Sequence, residues 1–194
     1  MIIGLAGSYC AGKNYAAAFL EARGLPVLDV DKLGHQVLDL EKDAVAARFG
    51  PSVLDGKGRV NRRLLGEKVF GKNEELKALE DIVHPGTNRL TAQWIEAQQG
   101  RPCVLNAALI HKSSAFVNLS TLIIVKAPLC IRLLRAKHRD KLPWKEIFRR
   151  FASQKSFNAQ YLTKFADIYT VNNIGKNLEK QIDKILSQLG IGDN

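Results

Sequence analysis

The sequence predicts an α/β fold, with a five-stranded parallel sheet covered by helices. Three observations carry that prediction. Short runs that are apolar throughout, such as Leu122-Ile123-Ile124-Val125, alternate along the 194 residues with stretches of helical periodicity. Strands buried on both faces have this uninterrupted apolar character. The last stretch places Leu178, Ile182, Ile185, Leu186 and Leu189 on one helix face. Between the first apolar run and the first helical stretch stands Gly7-Ser8-Tyr9-Cys10-Ala11-Gly12-Lys13-Asn14, a glycine loop in the strand-to-helix context that gives such loops a function.

Taken in order, Ile2-Ile3-Gly4-Leu5-Ala6 reads as the first strand, and Ala16 to Leu20 favours a helix that Gly24 closes at a C′ position. Pro26 to Asp31 reads as the second strand, ending in Asp31, and Leu33, Val37, Leu38 and Leu40 follow at helical spacing. Residues 39–100 hold no strand candidate and read as a helical subdomain inserted between the second and third strands. Within it, Leu76, Leu79, Ile82 and Val83 form one helical pattern, and His84-Pro85 separates it from another through Leu90, Trp94 and Ile95. Cys103-Val104-Leu105, Leu122 to Val125 and Ile168 to Val171 supply the remaining strands. Residues 132–157 form a basic excursion, and the whole chain, 1–194, reads as a single domain.

Composition narrows the function. No apolar run approaches the roughly 18 residues of a membrane span, and Met1-Ile2-Ile3 has no basic region ahead of it, so a cytoplasmic protein is expected. Cys10, Cys103 and Cys130 form no Cys-x-x-Cys pair and read as reduced thiols rather than disulfide or zinc ligands. Lys and Arg number 29 against 19 Asp and Glu, a net charge of +10 that suits polyanions: nucleic acid, an anionic membrane or phosphorylated small molecules. The excess concentrates between Lys126 and Lys155, where only Asp140 and Glu146 are acidic. Trp144, Phe148 and Phe151 keep helical spacing there and read as packing residues, not as a platform for stacked bases.

The glycine loop fits G-x-x-x-x-G-K. Its glycines let the backbone curl around a phosphate, successive N–H groups and the helix N-terminus point at it, and Lys13 reaches the outer oxygens. The fold is therefore expected to be of the P-loop NTPase type, in three layers. One position departs from the pattern: Asn14 stands where a serine or threonine hydroxyl ordinarily ligates Mg²⁺; an amide oxygen can ligate a hard cation, but the side chain is longer and the hydroxyl geometry is gone.

With these residues in place, the chain resembles the dephospho-coenzyme A kinases, P-loop kinases of small molecules, nearly end to end. Val27-Leu28-Asp29-Val30-Asp31 looks like that family's strand ending in Asp-Ala-Asp, and Gly58 to Leu64 looks like its segment leading into Arg-x-x-Leu. His84-Pro85 matches its His-Pro, and Leu133-Leu134-Arg135 with Arg139-Asp140 resembles its lid. Arg150-Phe151-Ala152-Ser153-Gln154 resembles its Arg-x-x-x-Gln, and Ala166-Asp167 with Asn172-Asn173 its closing element. The family usually has an acid and then Pro-Leu-Leu-x-Glu after the third strand; here Asn106-Ala107-Ala108-Leu109-Ile110-His111-Lys112 lacks both acids and the proline. The resemblance implies phosphorylation of the ribose 3′-hydroxyl of dephospho-coenzyme A by ATP with Mg²⁺, giving coenzyme A and ADP. A monomer is expected, binding neither membrane nor nucleic acid, since the basic run lacks interleaved aromatics and known reader motifs.

Roles follow from both sources. Gly7 through Asn14 would bind ATP, with Lys13 also catalytic. Asp31, at the carboxyl end of a strand where ligands gather, would meet the acceptor hydroxyl, as the resemblance implies; it also suits an N-cap for the following helix. Arg135 and Arg139 are four apart, on one face, and either clamp a transferring phosphoryl, Arg139 as a catalytic group, or form a solvated basic face. Arg150 reads as a further phosphate or adenine contact and Asn172 as an adenine contact or a turn residue. The resemblance assigns Arg62, Arg63 and His84 to the acceptor; a histidine before proline also marks helix boundaries. Two competing readings are a nucleoside or nucleotide kinase of the same architecture and a basic nucleic-acid-binding protein with a vestigial nucleotide site.

Overall fold

A computed structural model describes residues 1–108, 118–152, 167–175 and 177–192. Strands β1 (Ile2–Gly7), β2 (Val27–Asp29), β3 (Cys103–Asn106), β4 (Thr121–Lys126) and β5 (Ile168–Asn172) form one parallel sheet in the order β2-β3-β1-β4-β5. The sequence places the apolar runs where the strands are. From Ile3 through Gly7, all of β3 and Thr121 through Val125 are buried, which is why these segments carry no alternation of polar and apolar residues.

Helix α1 (Lys13–Ala22) follows the glycine loop, and α8 (Leu178–Gln188) follows β5. Ala16, Ala17 and Leu20 of α1 share one core with Leu178, Ile182, Ile185 and Leu186 of α8 and with Ile3, Leu5, Val104, Ile123, Val125 and Val171 of the sheet. Burying a side chain such as Ile182 fully contributes about 1.5–3 kcal/mol. Gly24 ends α1 as expected: at φ 82° its N–H donates to Glu21 O at 2.9 Å, and the Leu25 N–H donates to Leu20 O at 3.2 Å. That pair of bonds is a Schellman closure.

The chain divides into two compact units, Met1–Asp29 with Ile95–Asn194, and Val30–Trp94. The second contains α2 (Val30–Leu40), α3 (Lys42–Phe49), a 3-10 turn (Pro51–Val53), α4 (Arg62–Val69) and most of α5 (Asn73–Glu96). Its core is Leu38, Val45, Phe49, Val53, Val60, Leu65 and Val69. Leu38 lies on α2, so this unit begins at Val30, whereas the sequence pattern alone starts the helical insertion at residue 39.

Two local expectations are corrected. Asp31 does not end a strand: β2 stops at Asp29, and Asp31 lies in the first turn of α2, where its charge complements the helix dipole. The helix does not break at His84-Pro85 either, because α5 runs through Pro85. Close packing against α2 keeps it continuous. A Cβ on Gly86 would come within 2.7 Å of Val37 Cγ1, and buried Thr87 donates its hydroxyl to Val83 O at 3.0 Å. The basic excursion consists of α6 (Leu129–Asp140) and α7 (Trp144–Ala152). Its continuation through 153–157, with Gln154, and also Lys112 and Ala166, lie outside the described residues.

Candidate active site

The glycine loop leaves β1 at the switch point of the sheet, where the two neighbours of the central strand, β3 and β4, lie on opposite sides of it. Ligands of open α/β sheets collect there. Cys10 at φ 58° and Gly12 at φ 101° both adopt left-handed backbone, and the Ala11 N–H donates to Ser8 O at 2.9 Å. No side chain caps α1, which starts at Lys13. A helix start without a cap, entered through a curled loop, gathers N–H groups and the positive end of the dipole around an anion.

Helix α6 is fastened to this loop by arginines. Arg132 Nε donates to Tyr9 O at 2.8 Å, and Arg135 Nη1 donates to Ala11 O at 3.2 Å. The Ala11 carbonyl also accepts from Asn173 Nδ2 at 2.9 Å, and Arg135 Nη2 reaches Asn173 O at 3.4 Å. The loop is thus held from outside by three side-chain donors on its carbonyls. Gly12 is required here for space as well as backbone angle, since a Cβ would stand 1.9 Å from Asn173 Nδ2. Beside it, Gly12, Tyr15, Arg135, Asn173, Gly175, Leu178 and Glu179 line a pocket of about 530 Å³. Asn172, the sequence-based candidate, is exposed; its backbone exchanges two hydrogen bonds with the side-chain amide of Gln181. Asn173, one position later, faces the loop.

Beyond Arg135, α6 and α7 meet at Asp140. Its carboxylate accepts from Arg139 Nε at 2.7 Å, from Arg150 Nη1 at 3.3 Å and from the Tyr9 hydroxyl. The hydrogen bond from Arg139 holds the Asp140 carboxyl below the usual carboxylate range, with Tyr9 and Arg150 adding to the effect against burial. The same hydrogen bond pushes Arg139 up. Arg139 also lies over the Tyr9 ring at 5.2 Å, Arg132 over Phe151 at 4.8 Å, and Tyr9 meets Phe151 edge-on at 5.1 Å. Arg139 and Arg150, both sequence candidates, therefore rest against a carboxylate at the rim of the loop. Burial pushes the Cys10 thiol up, against the opposing charges of Arg139, Arg132 and Arg135.

Inside the loop, Asn14 Oδ1 lies 3.5 Å from Nδ2 of Asn106, the buried last residue of β3. Asn106 Oδ1 is buried and has no hydrogen-bond partner among the described residues. No cluster of three His, Cys, Asp or Glu suited to a metal occurs among the described residues. The side-chain oxygens that Asn14 and Asn106 offer are neutral amides, a pair that fits a cation brought in by a phosphate ligand and not one held by the pair's own charge.

The other sequence candidates belong to the Val30–Trp94 unit. Asp31 is exposed on the first turn of α2. Arg62 and Arg63 open α4 behind the Asn61 cap, whose Oδ1 accepts the N–H groups of Arg63 and Leu64, both at 3.2 Å. Arg63 pairs with Glu67 one turn on, and Arg62 approaches Asp39 at 3.9 Å. His84 is half-buried in the middle of α5.

With the geometry known, comparison with other proteins decides the family. The family model described as dephospho-CoA kinase matches residues 1–178. The chain belongs to the dephospho-CoA kinase family. A Treponema pallidum (strain Nichols) dephospho-CoA kinase is 32% identical over 98% of this chain and 96% of its own length. The crystal structure of TT1252 from Thermus thermophilus superposes with a TM-score of 0.84 at 30% identity, covering 97% of both chains. A dephospho-CoA kinase from Campylobacter jejuni shares the fold, with a TM-score of 0.65 at 23% identity over 97% of this chain and 96% of the other.

Within this dephospho-CoA kinase family chain, the residues that sequence reasoning left without a role are Arg132, Asp140 and Asn173. The helical signal for Arg132 is present: Arg132, Arg135 and Arg139 follow the i, i+3, i+7 rule on one face. Alternation along β5 also separates Val171 and Asn173, both buried, from Asn172, which is exposed. Asp140 gave no comparable signal, because a lone acid in a basic run shows its partners only when α6 and α7 fold together.

Proposed function

We propose that this chain transfers the γ-phosphoryl group of ATP to the ribose 3′-hydroxyl of dephospho-coenzyme A, giving coenzyme A and ADP, the last step of coenzyme A synthesis. Membership of the dephospho-CoA kinase family carries the reading. It is supported by a glycine loop whose carbonyls are held by Arg132, Arg135 and Asn173. In this assignment Gly7 through Asn14 surround the ATP phosphates, Lys13 meets the β- and γ-oxygens, and Arg135 and Arg150 flank the nucleotide. The base enters the pocket between Gly12 and Leu178, against Asn173. Arg139, released from Asp140, meets the transferring phosphoryl.

The helical unit takes the acceptor, through Arg62, Arg63 and His84, and Asp31 orients the 3′-hydroxyl. Its carboxylate accepts the hydroxyl proton as the oxygen bonds to the γ-phosphorus, and the bond from that phosphorus to the bridging oxygen of ADP breaks. Residues 132–157 act as the lid that excludes water. Mg²⁺ accompanying ATP would be met by Asn14 and Asn106, and it would supply charge neutralisation on the phosphates.

The test is an ADP-release assay with ATP, Mg²⁺ and dephospho-coenzyme A, set against a panel of nucleosides and nucleotides. ADP formed only with dephospho-coenzyme A supports the reading. ADP formed with nucleosides or nucleotides in its place overturns it in favour of a nucleotide kinase.

A further inference from the structure

P-loop enzymes ordinarily hold their cation with the loop hydroxyl and a carboxylate on a neighbouring strand. In this chain the loop position is Asn14, and the strand beside β1 ends in Asn106, the register partner of Leu5. The two side chains face one another: Asn106 Nδ2 donates to Asn14 Oδ1 across 3.5 Å, a long and weak bond. Asn106 is 2% exposed, yet its Oδ1 is buried with no partner among the described residues. An open buried acceptor is uncommon, and it suits a donor that arrives with a ligand. Water bound to a cation is such a donor.

We propose that Asn14 and Asn106 form a neutral amide pair that receives the water of a nucleotide-borne cation but does not hold the cation, so that nucleotide binds nearly as tightly without a divalent metal as with one. The argument is one of differential contact. A cation raises nucleotide affinity only through groups that interact with it and not with the bare phosphates, and the same factor acts in reverse on cation affinity. An anionic carboxylate is such a group. Two amides, one of them already donating to the other, supply little of that difference. Asp29 on β2, the register partner of Asn106, is the carboxylate that would anchor the cation if the pair is not the deciding feature.

This inference rests on the glycine loop binding ATP or ADP, and not on the identity of the acceptor. Titration calorimetry of ADP into the whole protein, with Mg²⁺ and then with excess chelator, gives the two affinities. The expected ratio is below about threefold, rising to about tenfold or more in the Asn14→Ser, Asn106→Asp double variant. Asn14→Ser alone should move the ratio in the same direction, so the test survives a double variant that fails to fold. A wild-type ratio of about tenfold or more overturns the proposal, and its collapse in Asp29→Asn would name the true anchor. An unchanged ratio in a folded double variant also overturns it. ADP that binds with the expected ratio, while dephospho-coenzyme A goes unphosphorylated, overturns the acceptor assignment alone. Absence of ADP binding under both conditions overturns both.

Discussion

Lys13 and Asp31 divide the proposed chemistry between binding and transfer, and substitution at each should separate the two. Lys13 begins α1 at the end of the glycine loop, where its flexible stem and point charge match the outer phosphate oxygens. Lys13→Ala should abolish transfer and weaken ATP, and calorimetry reads the second effect directly; unchanged ATP affinity would remove the phosphate role of the loop. Asp31 opens α2 and is exposed, so its replacement leaves the core intact. Asp31→Asn should lower kcat by about 10²-fold or more with ATP affinity nearly unchanged, since a positioned base contributes about 10²–10⁴. Wild-type turnover in that variant would return Asp31 to the helix-dipole role its position already explains.

At the scale of elements, α6 and α7 meet through Asp140, and the consequence is a dependence on pH. The carboxyl is held below its ordinary value in the folded chain, chiefly by the hydrogen bond from Arg139. A depressed carboxyl contributes stability that is complete above its unfolded value, about 4, and is lost as pH falls through the folded value. Asp140→Asn should therefore melt below wild type at pH 7, with the gap closing as pH is lowered below about 4 and through the folded value. Equal gaps at both pH values would show that the carboxylate is spectator to the junction of the helices.

The elements also show what was legible in the residues. The strands could be read because burial on both faces leaves a run of consecutive apolar residues, as in Leu122 to Val125. The loop could be read because its glycines are dictated by backbone angle and by the approach of Asn173. The path of α5 through Pro85 could not, since what keeps it helical is packing of Gly86 on Val37, a contact between residues 49 positions apart. The Asn14–Asn106 contact is equally non-local, and composition marks each asparagine only as a missing hydroxyl or acid. Sequence thus supplied the loop, while the fold supplied what grips it.

For the whole molecule, the deciding quantity is charge. A surplus of +10 concentrated on the segment that carries α6 and α7 puts a positive field over the glycine loop, whose carbonyls Arg132 and Arg135 hold. ATP and dephospho-coenzyme A are both polyanions, and a field of that sign raises their encounter rate and local concentration. The effect is screened, because the Debye length shrinks from about 10 Å at 0.1 M salt to about 3 Å at 1 M. Raising KCl should therefore increase KM for both substrates several-fold while kcat, set after both substrates are bound, changes little. The control is a neutral acceptor fragment lacking the pyrophosphate, whose KM should be flat across the same series. Steady-state kinetics at three salt concentrations reads both curves. A KM for dephospho-coenzyme A that ignores salt would assign the charge to another polyanion, and duplex DNA in a salt-dependent gel shift is the comparison that would then identify it.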